Sequence, residues 1–160
     1  MFSIGDKIVY PMQGAGVIIE IREERVLGEF HRYYILRVPL GGTNLMVPVD
    51  TCENIGVRRV VSPEKIEEML TVLRSESTEM SDSWNRRYRA NLDLLRTGDI
   101  CQVAAVIRNL MRSDRIRKLS AGEKKMLANA RHILVSEMIL VKGMDRAEAE
   151  QVILAAVNAL

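Results

Sequence analysis

The chain is poor in the residues that carry most enzyme chemistry. Of its 160 residues only two are cysteine and two are histidine. Cys52 and Cys101 lie far apart with no C-x-x-C spacing, which excludes a disulfide framework and fits a reducing compartment. His31 and His132 have no second Cys or His at ligand spacing, so no metal site is expected. There is no G-x-x-x-x-G-K-[ST], no G-x-G-x-x-G opening a helix after a strand, and no G-x-S-x-G. Their absence removes the usual phosphate-cradling loops and the nucleophile elbow, and with them any cofactor. Gly14-Ala15-Gly16 reads instead as a strand-to-strand turn. The carboxylates are scattered over polar faces and do not converge, so no catalytic residue is assigned and an enzyme is not expected. No run approaches the roughly 18 uncharged apolar residues of a membrane span. Met1-Phe2-Ser3-Ile4-Gly5-Asp6 lacks the charged and apolar regions of a signal peptide. A cytoplasmic protein without membrane contact is expected. No heptad seam is visible, so a monomer is expected.

What is present is ordinary in amount but uneven in distribution. Hydrophobic residues are 48% and charged residues 28%, enough for one or two small globular domains. The formal net charge is only +2. Residues 1–70 carry 8 Lys/Arg against 10 Asp/Glu, whereas residues 71–160 carry 15 against 11. The excess concentrates in 86–118, where 9 basic residues face 3 acidic ones. A local cationic surplus of that size is the electrostatic footprint of a polyanionic partner.

The hydrophobic period changes once along the chain. Lys7–Tyr10, Gly16–Ile21, Arg32–Val38, Asn44–Pro48 and Gly56–Val61 are short β-rich runs. Gly41-Gly42 between two of them is a hairpin signal. Five short strands with tight turns predict a small SH3-sized barrel over 1–61, of a kind whose edge strand is often free to pair with another protein. From Ser62-Pro63 the period is helical, the proline sitting where a first helical residue needs no amide. The spacing predicts helices over about 64–74, 84–97, 99–117, 121–141 and 145–159, with 76–83 as a linker. Ser120-Ala121-Gly122-Glu123 is a capping box. The fold class expected is therefore α+β: a small β-barrel followed by a domain of about five helices over 62–160.

The most informative segment is Ser83-Trp84-Asn85-Arg86-Arg87-Tyr88-Arg89. The single tryptophan stands at a helix start, followed at once by arginines. Two readings compete. Trp84 is a core residue with solvated arginines beside it, since tryptophan is usually well buried. Or its ring is a wedge against a base step and the arginines hold phosphates. Trp84, Tyr88, Leu92 and Leu95 share one helical stripe, with Arg86, Arg89 and Arg96 on the far side. On the following helix Val103, Val106, Ile107 and Leu110 form the apolar stripe, with Arg108, Arg112 and Arg115 opposite. Lys124 and Lys125 begin the next helix, where cations oppose the helix dipole and a phosphate would offset them. The candidate DNA-binding residues are thus Trp84, Arg86, Arg87, Arg89, Arg108, Arg112, Lys124 and Lys125. A module that binds only proteins, with its arginines in solvent, is the competing function.

Three segments carry a resemblance: Ile4–Val17, Ser83–Leu92 and Leu119–Leu127, in that order and spacing. Together they resemble the CarD/CdnL family of bacterial transcription regulators over essentially the whole chain. The first segment alone is shared with a barrel of transcription-repair coupling factors, and the tryptophan segment separates the two. The resemblance implies a Tudor-like domain that docks on the RNA polymerase β subunit through an exposed strand. It also implies a helical domain at promoter DNA, with Trp84 in the minor groove at the upstream edge of the melted bubble. The implied polymerase contacts are Arg22, Glu24, Arg25, Leu45, Met46 and Val47. Glu24 and Met46 stand where relatives use arginines, and Arg22 and Arg25 lie nearby as substitutes.

Overall fold

A computed structural model describes residues 1–159. The fold is α+β, as expected. Five antiparallel strands, β1 (Lys7–Tyr10), β2 (Gly14–Val26), β3 (Glu29–Arg37), β4 (Asn44–Pro48) and β5 (Arg58–Arg59), pair in the order β4-β3-β2-β1-β5. A single turn of helix, α1 (Cys52–Ile55), precedes β5. Then come α2 (Pro63–Arg74), α3 (Trp84–Arg96), α4 (Ile100–Ile116), α5 (Ala121–Lys142) and α6 (Arg146–Val157). Ser62, Ser83, Asp99, Ser120 and Asp145 each cap the following helix by accepting from an early backbone N–H. Each such cap is worth about 1 kcal/mol.

The sheet is buried on both faces, for two reasons. Ile8, Ile18, Tyr34, Leu36 and Val47 point inward against Val49, Cys52 and Val57, forming the small core of the β half. Val9 and Ala15 lie on the other face by strand alternation and are equally buried. They are covered by α5, whose Ser136 hydroxyl accepts from the Ala15 N–H at 2.9 Å. Gly16 is obligatory at this crowded edge, since a Cβ there would stand 2.6 Å from the Arg37 carbonyl oxygen. The helical core gathers Ile66, Met69, Leu73, Leu95, Val106, Ile107, Leu110, Leu134 and Ile153, and it also takes in Val38 and Leu40 from the β half. The two halves therefore share one packed surface.

Two features depart from the sequence expectation. β2 and β3 run much further than the apolar runs suggested and meet in a two-residue turn at Leu27-Gly28, both at positive φ (51° and 83°). That is the sign pattern of a type I′ hairpin. The outer part of this ribbon extends past the barrel core, so its residues, charged ones together with Val26, Leu27 and Phe30, are exposed and show no buried alternation. The second departure concerns α4. Arg108 is only 3% exposed and does not sit on an outward face. Its guanidinium donates to the Val72 carbonyl at 2.9 Å, to Asn109 Oδ1 at 3.1 Å and to Thr78 Oγ1 at 3.4 Å. Arg112 donates to the carbonyls of Ser75 (2.6 Å), Leu73 (3.0 Å) and Val157 (3.1 Å). The two arginines satisfy orphan carbonyls at the C-terminal ends of α2 and α6, where a cation also meets the negative end of each dipole. The expected basic face Arg108–Arg112–Arg115 is thus corrected: Arg108 is buried, Arg112 is half-buried with its donors engaged, and Arg115 is exposed. Arg108 and Asn109 tie down Thr78, and Arg112 ties down Ser77, inside the predicted linker.

Candidate nucleic-acid interface

The indole of Trp84 lies on a platform made by the N-terminal tips of α3 and α5. Ser83 caps α3, which fixes Trp84 as its first helical residue. The ring stacks on Tyr88, one turn along, with centroids 4.9 Å apart and planes 15° from parallel. Its Nε1–H donates to the Ser120 hydroxyl oxygen at 2.9 Å. Gly122 lies beneath the ring, where an added Cβ would be 3.4 Å from an indole carbon. Burial rises steadily down the expected stripe: Trp84 is 41% exposed, Tyr88 and Leu92 are half-buried, and Leu95 is buried. The ring is therefore held at the surface and is not a core residue.

Ser120 is the hub of this platform. Its oxygen caps α5 by accepting from the Glu123 N–H, and its hydroxyl donates to Glu123 Oε1 at 3.1 Å. Glu123 in turn accepts from Arg87 Nε at 2.8 Å, and Arg87 also reaches the Ser81 carbonyl at 3.1 Å. The Arg87 and Ser120 contacts offset burial and hold the Glu123 carboxyl below the usual glutamate range, and Glu123 raises the Arg87 guanidinium in return. The Glu123 side chain is 4% exposed and that of Arg87 19%. Arg87, expected to face DNA, is instead a clamp between α3 and α5 whose charge is already matched. Removing one partner of such a pair leaves a buried charge and costs about 3–5 kcal/mol.

Around the platform stand cations that are not matched. Arg86 and Arg89 line an open hollow of about 290 Å³ on α3 with Asn85, Ala90 and Asp93. Lys124 and Lys125 are exposed on the first turn of α5. Arg117 and Lys118, in the α4–α5 turn, line a second hollow of about 180 Å³ beside Arg87 and Glu123. Among the described residues none of these six cations has a carboxylate within 4.0 Å. Arg117 and Lys118 were not singled out from the sequence. Their signal was their position just before the Ser120 cap, which the fold brings to the same tip as Trp84. The unmatched cations of α3, the α4–α5 turn and the first turn of α5 are thus Arg86, Arg89, Arg117, Lys118, Lys124 and Lys125, without Arg87, Arg108 and Arg112.

At the other end of the molecule, β4 is a sheet edge paired only with β3. Met46 points outward and is 44% exposed. Leu45 and Val47 face the opposite way, by strand alternation, and pack into the barrel core, Val47 completely. Val47 is thus corrected as a side-chain contact, a partner strand meeting only its backbone, while Leu45 is half-buried. Arg22 is paired with Glu20 at 2.7 Å and stands 3.9 Å from Glu24, while Arg25 lies over the exposed Phe30 ring at 5.7 Å. Among the described residues, no group of three or more His, Cys, Asp or Glu is placed to hold a metal, and no helix is long and apolar enough to cross a membrane.

Comparisons with known proteins agree along the chain. Residues 2–61 match the model of the CarD-like/TRCF RID domain, and residues 68–154 match that of the CarD C-terminal domain. A relative from Bacillus subtilis (strain 168), named "Putative transcription factor YdeB", is 37% identical over 144 residues, covering 90% of this chain and 94% of that protein. A solution structure of the 72-residue N-terminal domain of Myxococcus xanthus CarD is 32% identical over 37% of this chain and 79% of its own, with a TM-score of 0.33. The chain belongs to the CarD/CdnL family, a family of transcription regulators and not of enzymes.

Proposed function

We propose that this protein docks on the RNA polymerase β subunit through its β half and stabilises the open promoter complex with its helical half. In this reading the edge of β4, with Met46, Arg22, Glu24 and Arg25 nearby, adds to the polymerase. Trp84 enters the minor groove at the upstream margin of the melted DNA, and Arg86, Arg89, Lys124 and Lys125 meet phosphates. The single observation that carries it is an exposed indole held between the tips of two helices whose exposed faces carry unmatched cations. Such an arrangement suits deformation of a duplex, because the apolar ring unstacks a step while the cations position the backbone. The indole N–H is already committed to Ser120. The ring therefore supports action by shape, and promoter choice follows from the DNA's ease of melting.

Opening is an equilibrium, and a ligand shifts it only by its preference for the open form. Anchoring to polymerase raises the local concentration of the helical half, so weak DNA contacts suffice. A preference of about 1.4 kcal/mol changes the equilibrium tenfold. The protein acts in the cytoplasm, at the nucleoid, wherever polymerase opens a promoter. Trp84→Ala is expected to shorten the half-life of heparin-challenged open complexes by about tenfold while leaving affinity for polymerase unchanged. An unchanged half-life removes the wedge.

A further inference from the structure

The junction between the halves is built around one guanidinium. Glu137, in the C-terminal third of α5, is 1% exposed. Both of its oxygens are taken by Arg58 of β5, at 2.8 and 2.9 Å, and Oε2 accepts as well from the Val61 N–H at 2.9 Å. Arg58 Nε donates to the Gly98 carbonyl at 3.0 Å, in the corner between α3 and α4. One side chain thus joins the last strand of the β half to α5 and to the far end of α3. These are the two helices whose opposite ends carry the indole. The remaining polar contacts follow the same face of α5: Asn129 to the Met12 carbonyl, Ser136 to the Ala15 N–H, and the Leu140 carbonyl to Lys7. A cavity of only about 10 Å³ remains beside Arg58, Leu95, Gly98 and Glu137, so the joint has no slack.

A buried ion pair is close to break-even against apolar packing in stability. What it adds is direction: a forked guanidinium on a carboxylate fixes orientation as well as distance, whereas apolar faces slide. We propose that Glu137, locked by Arg58, is a positioning residue that sets where the Trp84 ring stands relative to the β half. The inference rests on the reading of Trp84 as a wedge on polymerase-bound DNA. At 1.5 Å per residue the lever arm is roughly 21 Å along α3 and roughly 25 Å along α5. A tilt of about 10° at the joint moves the indole by about 3.5 Å, one base step along a strand. Loss of the fork therefore misplaces the ring without touching either binding surface.

The test uses the full chain with Arg58→Lys and, separately, Glu137→Gln. Nitroxide labels at Glu23→Cys and Asp93→Cys, with Cys52 and Cys101 replaced by Ala, report the distance between the halves. Both variants are expected to broaden that distance distribution and to shorten open-complex half-life by three- to tenfold. Affinity for polymerase alone and for duplex DNA alone should stay within twofold. A merely structural role would lower the melting temperature without that split. Should Glu137→Gln fail to fold, Arg58→Lys, which keeps a cation opposite the carboxylate, carries the test. An unbroadened distribution, or a broadened one with a normal half-life, overturns the proposal. With Trp84→Ala run alongside, an effective Trp84→Ala beside a silent Arg58→Lys refutes positioning alone. A silent Trp84→Ala refutes the wedge and the positioning claim together.

Discussion

The arginines of α3 and those of α4 look alike in sequence and have opposite fates. Arg86 and Arg89 end in solvent, while Arg108 and Arg112 end on carbonyl oxygens inside the helical half. Both sets occupy the polar side of an amphipathic helix. The difference is what lies across from that side. α3 has water over its outer face, but α4 is packed against α2, α3, α5 and α6, so its polar side meets the C-terminal ends of neighbours. Orphan carbonyls there must find donors, and a long cation with a planar fork reaches several at once. Arg87 is the intermediate case: it sits on α3, yet its charge is spent on Glu123. A count of basic residues thus overstates the charge offered to a partner.

The largest expected effect falls on the buried set. Arg108→Met removes three hydrogen bonds and leaves Asn109 and Thr78 each short of a buried donor, so stability should fall by on the order of 3 kcal/mol. Thermal melting measures this, and the salt dependence of DNA binding should not move. If melting stays put and the salt dependence drops, the division between the two helices is drawn in the wrong place. Next comes the exposed set. Arg86→Ala with Arg89→Ala should leave melting nearly unchanged yet lower the slope of log affinity against log salt by about 1–2. A slope identical to the parent chain's would make these arginines bystanders.

The smallest effect sharpens the position of Arg87. The folded-state pKa of Glu123 is lowered, first by its hydrogen bond from Arg87. Its contribution to stability is therefore complete above the ordinary glutamate range, near pH 4.3, and is lost as pH falls through the lower folded value. Trp84 is the only tryptophan, so its fluorescence reports the platform directly. Emission should hold steady through the ordinary glutamate range and change only below it, and Glu123→Gln should abolish that acid step. A transition centred near neutrality would contradict the coupling of ring, Ser120 and Glu123.

Much of the fold was legible because periodicity is local. The five helices lie where the 3.6-residue repeat put them, and the capping box at Ser120 forms as its four residues suggest. The outer ribbon was less legible. Residues from Arg22 to His31 have no core to alternate against, and Leu27 is a poor advertisement for a turn that needs positive φ. At the candidate site, Trp84, Arg86, Arg89, Lys124 and Lys125 were visible as an aromatic and cations near two helix starts. That these starts meet, and that Arg117 and Lys118 join them, was not. Leu45 and Val47 were identified as strand residues, but which face of β4 turns inward depends on what packs there.

The residue order alone settled the two periods, the helix caps and the shortage of catalytic chemistry, because each of these is fixed by neighbours within a few positions. Only the tertiary structure decided which guanidiniums are free, that the indole sits at the surface on the joined tips of α3 and α5, and that Glu137 receives Arg58 across the junction. Those outcomes depend on which carbonyls, carboxylates and apolar faces are brought together from distant parts of the chain. Burial and charge pairing are properties of that meeting and of no single segment.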